Sequence, residues 1–255
     1  MSYRWGSVLV LLVGCAQAHP AFFGERPDGG QHVLDGNGDQ DGPNRMRDGG
    51  GGSDSGSGSS GPMTLSETTD QTDNGSAIAC GNNEFGYTSR NSYYRVFPLA
   101  EFGITGDFNV TEVDFLDSTS TGSPSLKVSV GTYSGTPGGD TLTTSMISLT
   151  TNKTLTPADT DSTASEKVQI TADIPAGSNL IVEVDQTTKG TASNGVEYYM
   201  GANADGEGAP NGNTANPAPG YISSPDCSGA GTPTSMSEQA GAETDLVLTV
   251  TGTAQ

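Results

Sequence analysis

The sequence predicts an all-β domain, a jelly-roll-like β-sandwich, carried behind a signal peptide and a disordered tether. Three observations predict it. Short runs rich in Val, Ile and Thr alternate apolar and polar residues with a period of two. Gly- and Pro-rich breakers, such as Gly122-Ser123-Pro124, Thr136-Pro137-Gly138-Gly139 and Ile174-Pro175-Ala176-Gly177, separate those runs. No stretch keeps a helical period. Eight or nine strands at such spacing read as a sandwich.

Residues 1–14 read as an export signal. Arg4 precedes an apolar run, Val8 to Val13, and small residues follow. Leu12-Val13-Gly14-Cys15 resembles a bacterial lipobox, in which the Cys becomes the lipidated mature N-terminus. That resemblance implies lipidation at Cys15, attachment to a membrane through the lipid and an envelope location outside the cytoplasm. Several acyl chains at ~0.8 kcal/mol per buried CH₂ hold such an anchor firmly. Ala16-Gln17-Ala18 offers a rival site, with cleavage before His19 and a secreted product. A retained membrane span fails on length, because Trp5 to Gly14 falls well short of the ~20 residues a bilayer needs.

Residues 15–75 read as the tether. Asp28-Gly29-Gly30, Asp48 to Gly52 and Ser53 to Gly61 hold nothing that builds a core. Such a segment cannot offset its ordering entropy by apolar burial. A coil of this length spans roughly 40 Å.

Residues 76–255 then form one domain of ordinary size. Alternation picks out Leu126-Val128-Val130, Val168-Ile170-Ala172, Leu180-Val182-Val184 and Leu246-Leu248-Val250 as inward-facing sets. Further strands are predicted over Tyr93 to Phe97, Phe108 to Leu116, Leu142 to Leu149 and Val196 to Met200. Within Phe108 to Leu116 the apolar phase slips, which predicts a bulge near Thr111-Glu112. A Gly/Asn/Pro-rich excursion, Gly201 to Pro219, reads as a long loop of the kind that carries binding on sandwiches.

The runs Asn91 to Phe97, Phe102 to Gly106 and Ile174 to Ser178 leading into Leu180 to Val184, with a Cys-bearing loop at Gly220 to Cys227, resemble a module of secreted bacterial proteins. There the module sits beside a protease or another exported unit as a non-catalytic accessory. The resemblance covers most of residues 80–253 and implies no transferable activity.

Charge and cysteine content narrow the function. Formal net charge is −20, spread over both tether and domain. A surface this acidic repels nucleic acid and anionic membranes. With Cys15 lipidated or removed, Cys80 and Cys227 remain in an oxidising compartment, where a disulfide is the default and two free thiols the alternative. Both histidines, His19 and His32, lie in the tether, so no Ser-His-Asp triad, Cys-His pair or His-ligated zinc site fits within the domain. A P-loop is also excluded. A carboxylate-pair glycoside hydrolase is the one simple enzyme class left open, and no motif selects it. The chain is therefore read as no enzyme and as needing no cofactor.

Two acidic patterns could meet calcium. Asp35 to Asp41 alternates oxygen donors but has Gln40 at the loop's glycine position and Met46 at its distal glutamate position. Asn203, Asp205 and Glu207 place three donors two residues apart on the long loop, where calcium takes six to eight. Tyr93, Tyr94, Tyr198, Tyr199 and Tyr221 are candidate ligand contacts. In each adjacent pair one ring faces the core and the other faces out. The leading expectation is a surface- or envelope-anchored, non-catalytic lipoprotein that contacts an extracellular protein or glycan. A structural envelope lipoprotein without a specific ligand is the alternative.

Overall fold

The computed structural model describes residues 61–68, 71–72, 77–82, 86–203, 219–227, 231–240 and 245–255. Cys15, both histidines and the Asp35 to Asp41 pattern lie outside them. In chain order the strands are β1 (Pro62–Ser66), β2 (Gly81–Asn82), β3 (Tyr87–Thr88), β4 (Ser92–Pro98), β5 (Phe108–Thr121), β6 (Leu126–Tyr133), β7 (Ile147–Leu155) and β8 (Ala164–Ile174). They continue with β9 (Asn179–Gln186), β10 (Glu197–Met200), β11 (Ala202–Asn203), β12 (Gly220–Ser223), β13 (Thr234–Ser235), β14 (Asp245–Leu246) and β15 (Leu248–Ala254). The short α1 (Met236–Ala240) and two single 3₁₀ turns are the helical segments among the described residues.

Two sheets carry the fold. One runs β1-β15-β5-β10, with β8 on the other edge of β5; the second runs β13-β12-β4-β9-β6-β7. The eight long-range partners nest as a jelly roll. First pairs with last (β1·β15), second with seventh (β4·β9), third with sixth (β5·β8) and fourth with fifth (β6·β7), all antiparallel. The all-β sandwich is thus the observed architecture. The turn from β8 into β9 closes with Ser178 N–H donating to Pro175 O at 3.1 Å, and Gly177 takes the left-handed conformation that the turn requires.

The core lies between the sheets. Phe108, Val113, Phe115, Val168, Ile170 and Val250 face Phe97, Leu126, Val128, Val182, Val184 and Ile222. Burying one such side chain contributes ~1.5–3 kcal/mol. The predicted bulge is present, since the β5·β8 register slips between Val110 and Glu112. A second bulge, at Thr251/Gly252, brings Gly252 so near Asn109 O that a Cβ there would sit 2.4 Å from it.

Two expectations about element limits are corrected. The strand expected over Leu142 to Leu149 begins at Ile147 and runs to Leu155, while Leu142 to Met146 is a loop and a 3₁₀ turn. Strand β7 is mostly exposed. It is a sheet edge, so no buried face imposes alternation on Thr150 to Thr154. The sandwich also begins at Pro62, not at residue 76. Strand β1 lies inside the expected tether, pairs with β15 from Pro62↔Thr253 to Ser66↔Thr249, and buries Leu65 completely.

Cys80 and Cys227 form a disulfide across 147 residues, with Cα atoms 5.6 Å apart. Asn91 sets the approach. Its Oδ1 accepts from Cys80 N–H at 3.1 Å, and its Nδ2 donates to Cys80 O at 3.1 Å and Ser89 O at 2.9 Å. Ser89 Oγ donates to Asp226, next to Cys227.

Leu65→Ala is expected to cost about 2–4 kcal/mol of unfolding free energy in denaturant titration. No loss would return this segment to the tether. Cys80→Ser with Cys227→Ser is expected to cost about 2–5 kcal/mol, and reductant to lower the wild-type melting temperature to the same degree.

Candidate functional site

The outer face of the six-stranded sheet carries the most concentrated polar chemistry among the described residues. Antiparallel register fixes which side chains share it. Across β4, β9, β6 and β7, one row reads Ser92, Asp185, Lys127, Thr154. The next reads Tyr94, Glu183, Ser129, Asn152, with Tyr221 of β12 at its end. The third reads Val96, Ile181, Gly131, Leu149.

A loop from β6 to β7 roofs part of this face. Leu142 is buried in a satellite cluster with Tyr94, Val96, Tyr133, Ile181 and Tyr221. Two tyrosine hydroxyls hold the loop, Tyr221 accepting from Gly138 N–H at 3.3 Å and Tyr133 from Thr143 N–H at 3.4 Å. Beside the roofed half stands the polar half.

Its two carboxylates have opposite circumstances. Asp185, with its side chain 2% exposed, is fully engaged. Arg90 donates to it through Nη2 at 3.0 Å and Nε at 3.4 Å, Ser92 Oγ donates at 2.9 Å, and Lys127 Nζ lies 3.8 Å away. Glu183 is 8% exposed, and its Oε2 has no hydrogen-bond partner. Tyr94 is its neighbour. Burial raises the Tyr94 hydroxyl pKa most, and the charge of Glu183 and its hydrogen bond raise it further. The arrangement offers one enclosed, unsatisfied acceptor beside an aromatic ring.

The tyrosine expectation is corrected. Tyr93 is wholly buried, donates to Ile78 O at 2.8 Å and meets Tyr198 edge-on, ring centroids 5.8 Å apart. Tyr198 and Tyr221 are also fully enclosed, and Tyr94 nearly so. Of the five, Tyr199 alone is half-buried. Alternation placed each ring on a face but could not reveal that the roof covers the outer one. Asn203 is buried in β11 opposite Asp245, while Asp205 and Glu207 lie outside the described residues. No cluster of three His, Cys, Asp or Glu side chains suited to a metal occurs among the described residues.

Sequence reasoning saw Glu183 as outward-facing but did not single it out; the alternation of Leu180, Val182 and Val184 was the signal. It also missed Arg95. This residue shares the inward face with Tyr93 and Phe97, is completely buried and donates through Nη1 to Asp245 at 2.8 Å. Asp245 also accepts from Gly220 N–H at 3.2 Å, so it ties β14 to both β4 and β12.

A cavity of about 310 Å³ lies on the outer face of the other sheet, lined by Thr64, Gln71, Asp114, Leu116, Ser165 and Val247 among others. Its acid is satisfied, because Asp114 accepts from Ser165 at 2.7 Å and pairs with Lys167 at 3.0 Å. This hollow therefore has less unmet chemistry than the face around Glu183. No family model, curated protein or solved structure matches the chain.

Elsewhere, Asp117 of β5 is buried with Oδ1 unpartnered, and burial pushes its pKa up to about 6. Ser120 Oγ and the Thr119 backbone oppose that rise, and Glu166 of β8 adds to it. A raised carboxyl pKa makes the folded state hold its proton longer. This contribution to stability is present below the unfolded value near 3.8 and is lost as pH rises through about 6. Asp117→Asn is expected to stabilise the domain by roughly 1–3 kcal/mol at pH 7, with the gain vanishing below about pH 4. Denaturant titration of both proteins across pH 3.5–7.5 checks this, and a gain independent of pH would contradict it.

Proposed function

We propose that this chain is a lipid-anchored envelope protein whose sandwich is a non-catalytic binding module, contacting an extracellular protein or glycan through the outer face of the six-stranded sheet. The observation that carries the reading is Glu183, an enclosed carboxylate with one oxygen unsatisfied on a face otherwise closed by its own hydrogen bonds. An unmet buried acceptor costs ~1–3 kcal/mol, more for a charged group. A ligand donor would recover that cost. The neighbouring Asp185 is held by two cations and a hydroxyl, which suits a rigid support better than a nucleophile or a proton-exchanging acid. Anchoring rests on the lipobox resemblance at Cys15, and the acidic tether gives the domain its reach from the membrane.

Two measurements test the reading. Intact mass of the membrane-borne protein is expected to start at an acylated Cys15 and to lie two hydrogens below its reduced mass. Cys15→Ala is expected to move the protein from the membrane to the soluble fraction. A mass starting at His19 in the medium would replace the anchored reading with a secreted one. For the contact itself, Glu183→Gln is expected to reduce co-sedimentation with isolated envelopes at least fivefold without lowering the melting temperature. Equal co-sedimentation would favour a purely structural envelope protein.

A further inference from the structure

We infer that the face around Glu183 takes a basic polypeptide segment, with a protonated Lys or Arg side chain on the Glu183 carboxylate and an apolar side chain on Leu149. The inference rests on the binding reading above and narrows it to one chemistry.

Three independent observations carry it. The first is charge. Arg90 and Lys127, the cations of this face, are both spent on Asp185. Glu183 keeps a buried Oε2 without a hydrogen-bond partner. The terminal torsion of a glutamate is soft, so a small rotation presents that oxygen to an incoming donor. A metal ion is a poorer fit, since among the described residues no third carboxylate, histidine or cysteine joins the pair.

The second observation is apolar exposure. Among the described residues two large hydrophobic side chains are exposed, Leu149 at 37% and Met146 at 43%. Leu149 lies on this same face, and Met146 directly precedes β7. Between Leu149 and Ile181 stands Gly131, where a Cβ would come within 2.0 Å of Ser148 O, so the backbone of β7 closes over this position. An acid beside an exposed aliphatic group suits a peptide. A sugar platform would need an open ring, and the rings on this face are enclosed.

The third observation is spacing. Glu183 and Leu149 are two strands and one row apart, about 12 Å by sheet geometry. An extended chain covers that in three to four residues. The segment therefore carries its basic and apolar residues three or four positions apart. The chain's net charge of −20 favours the approach of such a partner.

The test uses the purified full-length chain and fluorescein-labelled synthetic heptapeptides in anisotropy titrations at 150 mM salt. The peptides are Ser/Thr-based and carry one Arg and one Leu four positions apart; a second set replaces Arg by citrulline, and a third replaces Leu by Ser. The Arg/Leu peptide is expected to bind at least tenfold tighter than its citrulline form. Glu183→Gln is expected to weaken it at least tenfold, Leu149→Ser at least threefold, and Asp161→Asn, which removes a charge from an exposed loop, less than twofold. Melting temperatures verify that each variant is folded. Equal losses for Glu183→Gln and Asp161→Asn would reduce the effect to diffuse charge and overturn the inference. Absence of peptide binding alongside Glu183-dependent binding of cell-wall polysaccharide would overturn it and leave the binding reading standing. Absence of both would overturn the two together.

Discussion

Strand β9 is enclosed on both faces, and the rest of the structure is arranged around that constraint. Inward, Leu180, Val182 and Val184 supply the middle of the core. Outward, Ile181 lies under the β6–β7 loop, and Glu183 and Asp185 are buried in the polar half of the same face. Burying two carboxylates costs several kcal/mol each unless donors replace water. Asp185 recovers that cost through Arg90, Ser92 and Lys127, which also pin the flanking β4 and β6 to β9. Glu183 does so only in part. Among the described residues, the other buried polar side chains of this face have partners and one oxygen does not, and that asymmetry marks the candidate contact.

The nested pairing has a consequence for how this arrangement assembles. Strand β1 at residue 62 meets β15 at residue 253, and β4 meets β9 at about half that separation. Such non-local pairings make folding slow, because loop closure must precede the contacts that reward it. The disulfide between Cys80 and Cys227 shortens the search by tying the region before β4 to the loop after β12. Asn91 and Ser89 hold Cys80 in place without the disulfide, so the bridge locks a geometry the hydrogen bonds already favour.

Much of this fold was legible in the sequence, and the gaps have physical causes. Strands β5, β6, β8, β9 and β15 each bury one regular set of side chains, so their alternation names them; even the β5 bulge showed as a phase slip between Val110 and Val113. Strand β7 was misplaced because an edge strand rich in Thr, Asn and Lys buries little and writes no period. Strand β1 was overlooked because its single core residue, Leu65, follows a long Gly/Ser run. Arg95 and Asp117 sit at inward positions where alternation predicts apolar residues, and only tertiary partners explain them. For the site, alternation gave the face of every tyrosine and of Glu183. It could not give what covers that face, since Leu142 reaches it from a loop with no periodic signal.

Charge acts at two ranges on the reading proposed here, and magnitude decides between them. At physiological salt the screening length is ~8 Å, so the acidity of tether and domain steers an approaching basic segment but adds little once it is seated. Specificity then depends on contact. A cation meeting Glu183 replaces an unmet buried charge with a charge-assisted hydrogen bond, worth more than a rim ion pair because water is already largely excluded there. Leu149 adds a modest apolar term at fixed distance. Neither contact alone makes a tight complex, and the proposed envelope anchor would remove the need for one. Holding the domain and its partner at the same surface raises their effective concentration, so a weak two-point contact suffices.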